Sequence, residues 1–296
     1  MKHVKQILVA TDCSKVSDNA IKRAIKIAKI HKAKITLLFV AREGHLETLI
    51  SKVVPKADRV MYTPKQYGNR LIKKKLAEFE KADVNIKGVA LVGHPATKIL
   101  QYAKEKKMDL IVVGVRGHYT INDWFVGTTT EMIAKQTKIP VLIVRNSARK
   151  AYKKLLIPID FSISSKSALE FGITGFSNIK QTKIEVLHVG EHDYDDFIGD
   201  DKYIKFKSNA VRKGFVSIIK NKIEPFIKKS GGSPDKIQYQ IKTGYPSVEI
   251  IKETNENDFD LVILGSSGHS ERYYLMLGRV ATRVLYEVNA DVFLIP

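Results

Sequence analysis

Along the chain, short runs of apolar, β-branched residues alternate with longer segments in which apolar positions return every three or four residues. The first pattern predicts strands and the second amphipathic helices. In the first half, strands are expected near Gln6–Thr11, Lys34–Val40, Asn85–Leu91, Leu110–Gly114 and Val141–Val144. Between the first two, AIKRAIKIAKIHKAK places Ile21, Ala24, Ile25 and Ala28 on one face, and Lys22, Arg23, Lys26 and Lys29 on the other, so the cations are expected in solvent. Lys73, Lys74 and Lys75 alternate with Ile72, Leu76 and Phe79 in the same manner. The runs IVVG, ending at Gly114, and VILG, ending at Gly265, are nearly continuous in apolar residues, as strands buried on both faces require. The alternation predicts an α/β fold: a doubly wound parallel sheet with helices on both faces, five strands to each half.

The pattern occurs twice. ILVATDCSKVSDNAIKRAIKIA in the first half matches LLIPIDFSISSKSALEFGITGF in the second and aligns Asp12 with Asp160, and KITLLFV matches KIEVLHV. VGHPATKILQYAKEKKMDLIVVGVRGH matches TGYPSVEIIKETNENDFDLVILGSSGH, so Gly93, Pro95, Gly114 and Gly117 align with Gly244, Pro246, Gly265 and Gly268, and Gly127 with Gly278, at a constant offset of 151 residues. Glycines that keep register across two copies point to a tandem duplication. Domains are expected at 1–146 and 152–296, joined by a polar linker near RNSARKAY, Arg145 to Tyr152.

Composition narrows the function classes. A chain of 296 residues, 44% hydrophobic, is long enough for two cores. Its single cysteine, Cys13, excludes an internal disulfide framework and fits a reducing compartment. The apolar run at the start is broken by Asp12 too early for a secretory leader, and no segment approaches the roughly 20 apolar residues of a membrane span, so a cytoplasmic protein without a membrane partner is expected. The net charge of +19 suits nucleic acid, an anionic membrane surface or small anions. The lysines lie on outer helical faces, and no basic groove interleaved with aromatics is present to stack bases, which argues against nucleic acid.

The stretch GVRGHYTINDWFVGTT, Gly114 to Thr129, carries the chemistry. Gly114 ends the fourth predicted strand, Gly117 lies in the following loop, and Gly127 with Thr128 begins the next helix. A helix N-terminus has unpaired N–H groups and a partial positive charge, so phosphate binds there. Glycines let a ribose and its phosphates lie against backbone. Asp12, at the end of the first strand, faces the same crevice if the first and fourth strands are neighbours at a topological switch point.

These residues resemble the universal stress protein family, and the likeness covers nearly all of both halves. The family fingerprint is glycine, two residues, glycine, nine residues, glycine, then serine or threonine; Gly114, Gly117, Gly127 and Thr128 satisfy it. The first-strand aspartate, the GxP at Gly93 and Pro95, and DLIVVG before the loop add to the match. The resemblance implies an adenine nucleotide (ATP, ADP or AMP, with Mg2+) and assigns an adenine contact to the backbone of Val40. It also implies that the halves pair through their fifth strands, Val141–Val144 and Val292–Ile295, as a pseudo-dimer to which a further homodimer and a regulatory protein partner could be added.

The second half keeps Asp160, Val189, Gly265, Gly268 and Gly278 but places Arg279 where the fingerprint has serine or threonine. Arginine there either clamps phosphate bidentately or fills its position. One ATP per chain is expected, with a second site appearing or strengthening in Arg279→Ser. Cys13 is read as packing rather than redox-sensing, and His118 and His269 as solvated loop residues. The acidic run Glu191 to Tyr203 lacks the spacing of a calcium loop, and Asp123 opposes anion binding unless it turns to solvent or holds a metal ion. No SGGxDS, HIGH or GxxxxGK[ST] motif is present. The expected function is a nucleotide-dependent regulator in the stress response, at most a slow ATP hydrolase. A ligand-free interaction scaffold is the alternative.

Overall fold

The structure is a computed structural model that describes residues 4–42, 63–115, 126–145, 151–176, 182–190, 209–268 and 277–296, apart from the side chains of 209–213 and 215. The chain divides into two compact units, Lys2–Ala151 and Tyr152–Pro296.

In the first unit the elements are β1 (Gln6–Ala10), α1 (Asp18–His31), β2 (Lys34–Ala41), α2 (Pro64–Glu78), β3 (Ile86–Val92), α3 (Pro95–Glu105), β4 (Leu110–Gly114), α4 (Thr128–Gln136) and β5 (Val141–Val144). The strands run parallel in the order β3-β2-β1-β4-β5. Ile7 lies opposite Ile35 and Leu110, and Ile111 opposite Val141. Ile7, Leu8, Ile35, Leu37, Leu110, Ile111, Leu142 and Ile143 are among the fully buried side chains, as continuous apolar strands covered on both faces must be.

The second unit repeats the plan with β6 (Lys154–Ile159), α5 (Ile163–Phe176), β7 (Lys183–Gly190), α6 (Asn209–Lys229), β8 (Gln238–Thr243), α7 (Pro246–Glu256), β9 (Leu261–Gly265), α8 (Arg279–Glu287) and β10 (Asp291–Ile295). Its order is β10-β9-β6-β7-β8, again parallel throughout. In both units the order reverses beside the first strand, between β1 and β4 and between β6 and β9.

The GxP signature has a local cause. Gly93 and Gly244 sit at φ of +135° and +143°, a region that residues with a Cβ rarely adopt, and Pro95 and Pro246 occupy the first turn of α3 and α7, where the missing N–H costs nothing.

Two cations depart from the solvated faces expected for them. Arg23 is 4% exposed and belongs to the buried side of α1, its Nε included. Lys75 is likewise 4% exposed, with its Nζ 2.8 Å from Asp18 Oδ1 and 2.7 Å from Glu78 Oε2, which ties α2 to the first turn of α1. Desolvation favours the neutral amine, but the hydrogen bonds to Asp18 and Glu78 outweigh it and raise the Lys75 pKa.

Candidate functional site

The end of β1 forms a tight polar turn. Thr11 N–H continues the strand ladder to Leu38 O, at 3.0 Å, and Cys13 then takes a positive φ of 62° that turns the chain out of the sheet. The turn is held by side chains: Ser14 N–H donates to Asp12 Oδ1 at 3.0 Å, Cys13 N–H to Thr11 Oγ1 at 2.9 Å, and Ser17 N–H to Ser14 Oγ at 3.2 Å. Desolvation within this turn raises the Asp12 pKa. Hydrogen bonds from the hydroxyl and N–H of Ser14, the Ser17 hydroxyl and its own N–H more than offset that, so the carboxylate titrates below its usual range. The neighbouring thiol behaves oppositely. Burial pushes Cys13 up to about 11 despite the Lys75 cation, which leaves it protonated and a poor nucleophile at neutral pH.

The second unit builds the same turn from matching side chains, with Phe161 in place of Cys13. Phe161 takes the positive φ, at 64°, Ser162 N–H donates to Asp160 Oδ1 at 3.0 Å, and Ser165 N–H to Ser162 Oγ at 3.2 Å. The pattern DxSxxS at Asp12–Ser17 and Asp160–Ser165 is therefore the sequence signal for this turn; the serines were absent from the residues expected at the site. Where Cys13 is small, Phe161 carries a ring that lies 4.7 Å from His188 and 5.3 Å from Phe226, centroid to centroid.

Beside β1, β4 ends at Gly114. Among the described residues, a Cβ on Gly114 would meet nothing closer than Ala20 Cβ, at 3.9 Å. Gly127, buried and extended (φ −57°, ψ 146°), is the N-cap of α4 and leaves Thr128 exposed at the first helical position. Glycine at the cap offers no side chain of its own to the first-turn N–H groups. Thr130 Oγ1 donates to Gly114 O at 3.1 Å and so clips the first turn of α4 to the end of β4. The switch point thus brings Asp12, Gly114, Gly127 and Thr128 to one end of the sheet. Val40, half-buried near the end of β2, lies on the same side. Gly117, along with His118, Asp123 and Trp124, lies outside the described residues, as do His269 and the acidic run 191–203.

The corresponding crevice of the second unit is more closely filled. A Cβ on Gly265 would lie 2.8 Å from Ser164, and one on Gly268 would lie 3.0 Å from Asp160 Oδ2. Gly278 N–H donates to Ser266 O at 2.7 Å. Arg279 is exposed at the first position of α8, and Val189 is buried. His188, 8% exposed, holds Ile159 O with its Nδ1 at 2.9 Å.

Comparison with known proteins places these features in context. The universal stress protein family matches residues 3–145 and again 151–296. The chain is 32% identical over 145 residues to universal stress protein YxiE of Bacillus subtilis, across 47% of this chain and 98% of that protein. It is also 32% identical over 155 residues to a universal stress protein of Methanocaldococcus jannaschii, across 49% of this chain and 85% of the relative. The crystal structure of a universal stress protein from Archaeoglobus fulgidus shares the fold over 99% of this chain and 98% of its own, with a TM-score of 0.70 at 17% identity.

Proposed function

The chain belongs to the universal stress protein family, matched once in each half, and from that premise we propose that its first unit binds an adenine nucleotide and acts as a nucleotide-dependent regulator of the stress response. The observation that carries this reading is the open end of β4. Among the described residues nothing lies within 3.9 Å of a Cβ built on Gly114, and Asp12, with a lowered pKa, and the glycine-capped first turn of α4 stand at the same end of the sheet.

Each part suits a different portion of the ligand. Asp12, an acceptor with a lowered pKa, fits ribose hydroxyls and repels phosphate, so the sugar belongs at β1. The N–H groups of Thr128, Thr129 and Thr130, together with the Thr128 hydroxyl, fit the phosphates. The backbone of Val40 is assigned the adenine edge. Mg2+ would accompany the phosphates and supply charge neutralisation there. The same lowered pKa makes Asp12 a weak general base, which favours binding over fast hydrolysis.

For the second unit, the scaffold reading has an observation in its favour. The Phe161 ring stands where the first unit has the smaller Cys13, Gly268 lies close against Asp160, and the N–H of Gly278 is committed to Ser266 O. The exposed side chain of Arg279 is not what fills the crevice.

Mass spectrometry of the denatured, gently purified protein tests the proposal: an adenine nucleotide is expected. Titration calorimetry with ATP and magnesium should give a binding isotherm that Gly127→Val abolishes, because bulk is added where backbone meets phosphate. Unchanged affinity in that variant would remove the site, and turnover on the order of 1 s⁻¹ or more would remove the regulator reading in favour of an enzyme.

A further inference from the structure

The amino ends of the strands in the first unit carry an array of exposed lysines, at the end of the sheet opposite the crevice proposed for the nucleotide. Exposed Lys5 and Lys34 stand at the starts of β1 and β2, Lys32 in the turn before β2, Lys106 and Lys107 before β4, and Lys138 before β5. The ladder holds these starts side by side: Lys34 N–H donates to Lys5 O at 2.8 Å, Asp109 N–H to Gln6 O at 2.9 Å, and Ile111 N–H to Pro140 O at 3.0 Å. Neighbouring strands are roughly 4.8 Å apart, so the lysines line one narrow edge of the unit. None of the six makes an ion pair among the described residues. Asp109 in their midst is already engaged, since its Oδ2 accepts Lys5 N–H and Gln6 N–H at 2.8 and 2.9 Å. Glu105 and Asp83 are the exposed acidic side chains nearby.

Lysine is common near helix C-termini, where it complements the dipole, so the array needs a control. The chain contains one. At the same fold positions the second unit has Asn257, Asp258 and Asn289 in place of Lys106, Lys107 and Lys138, and Asn255 in place of Lys104. There the amides serve the fold: Asn255 Nδ2 donates to Glu287 O at 3.1 Å, and Asn289 N–H donates to Asn255 Oδ1 at 2.8 Å. The backbone is the same, with Lys107 at φ 50° and Asp258 at φ 51°. This left-handed conformation favours Gly, Asn and Asp, and lysine occupies it at a conformational cost. Lys32 takes it as well, at φ 53°. Lys5 and Lys34 keep lysine counterparts in Lys153 and Lys183, whose ladder bond repeats theirs at 2.7 Å, so it is at Lys106, Lys107 and Lys138 that the fold does not demand lysine.

We propose that this edge docks the first unit onto an anionic lipid surface. Three features favour lipid over nucleic acid or an acidic protein. The cations are lysines, which act as point charges, rather than arginines, which read phosphate bidentately. Among the described residues no aromatic side chain is exposed on this edge as a large hydrophobic to stack a base. Among the described residues the one large apolar side chain exposed there, Ile30 in the last turn of α1, is 52% exposed beside Lys29 and Lys32, the pairing of apolar tip and cationic ring that suits a headgroup layer. Contact with a bilayer surface needs no spanning segment, so it is compatible with a chain in which no described helix could cross a membrane.

The test is co-sedimentation of the full chain with vesicles of phosphatidylcholine containing about 30% phosphatidylglycerol. Binding is expected at low salt, none to phosphatidylcholine alone, and none at about 0.5 M salt, where charges are screened within roughly 4 Å. Each lysine facing an anionic surface is worth about fivefold in partitioning, so Lys106→Asn, Lys107→Asp and Lys138→Asn combined should weaken it on the order of 100-fold. These replacements copy the second unit and so respect the backbone. The charge-matched control Lys220→Asn, Lys228→Asp and Lys252→Asn, on exposed positions of α6 and α7, should leave binding within a few fold. Absence of binding to the anionic vesicles, equal loss in both triple variants, or tighter binding of duplex DNA than of vesicles through the same lysines would each overturn the proposal.

Discussion

Two glycines at matching positions serve different purposes, and single substitutions separate them. Around Gly114 a Cβ finds open space, whereas at Gly265 it meets Ser164 backbone and side chain at 2.8 Å. Gly114→Ala should therefore change stability by no more than about 0.5 kcal/mol while lowering ATP affinity. Gly265→Ala should destabilise by about 1–3 kcal/mol through overpacking. Urea unfolding and titration calorimetry on the two variants read both effects, and a Gly114→Ala protein with full ATP affinity would count against the crevice. A second residue-scale effect concerns pH. Burial lowers the pKa of His188, opposed by its bond to Ile159 O and the charge of Asp160, while Lys222 lowers it further. The unfolded chain thus takes up a proton before the folded one, so this contribution to stability is present above a pH of about 6.5 and is lost as pH falls below that value. Melting temperatures at pH 7.5 and 5.5 should differ less in His188→Phe, which installs the residue found at the matching Phe39.

At the scale of elements, a close approach between helix and strand fixes how α2 covers the outer strands. A Cβ on Gly88 of β3 would lie 2.1 Å from Ile72 Cγ2 of α2, and that methyl, on a β-branched carbon, has little freedom to retreat. Gly88→Ala should cost about 1–3 kcal/mol, measured by chemical denaturation, and in an Ile72→Ala background, where that methyl is gone, the added cost should be smaller. The start of α2 is set by a capping box, in which Thr63 Oγ1 accepts Gln66 N–H at 3.3 Å and Thr63 N–H donates to Gln66 Oε1 at 2.8 Å, with Pro64 at the first helical position. Thr63→Ala should cost about 1 kcal/mol in the same assay.

For the whole molecule, the unequal crevices predict a stoichiometry of one ATP per chain. Because Arg279 is exposed and Phe161 and Gly268 crowd the second crevice, Arg279→Ser should leave the count at one, a revision of the gain expected from the sequence. Two equal sites in the parent would show that the crowding has no consequence. Each five-stranded order ends on an apolar strand, β5 in the first unit and β10 in the second, and an uncovered apolar edge invites association. Residues 1–146 expressed alone should therefore form a homodimer, seen by analytical ultracentrifugation; a stable monomer at micromolar concentration would contradict pairing through the fifth strands.

Much of this architecture is determined by the sequence alone, because local chemistry repeats in it. Strand and helix periodicity, the glycines required at positive φ in both GxP turns, and the fingerprint through Gly114, Gly127 and Thr128 depend on neighbours within a few residues and survive duplication in register. Periodicity could not separate Lys75 from Lys73 and Lys74, since the partner that draws it into the interior, Asp18, is 57 residues away. The state of the second crevice was hidden for the same reason: Phe161 packs on His188 of β7 and Phe226 of α6, and Gly268 approaches Asp160 only when β6 and β9 lie side by side. The lysine edge also emerges only in three dimensions. Its residues are scattered from Lys5 to Lys138 and look like separate solvated charges until parallel pairing brings every strand start to one end of the sheet. What is local in the chain is written in its pattern; what depends on strands meeting across long sequence separations is decided by packing.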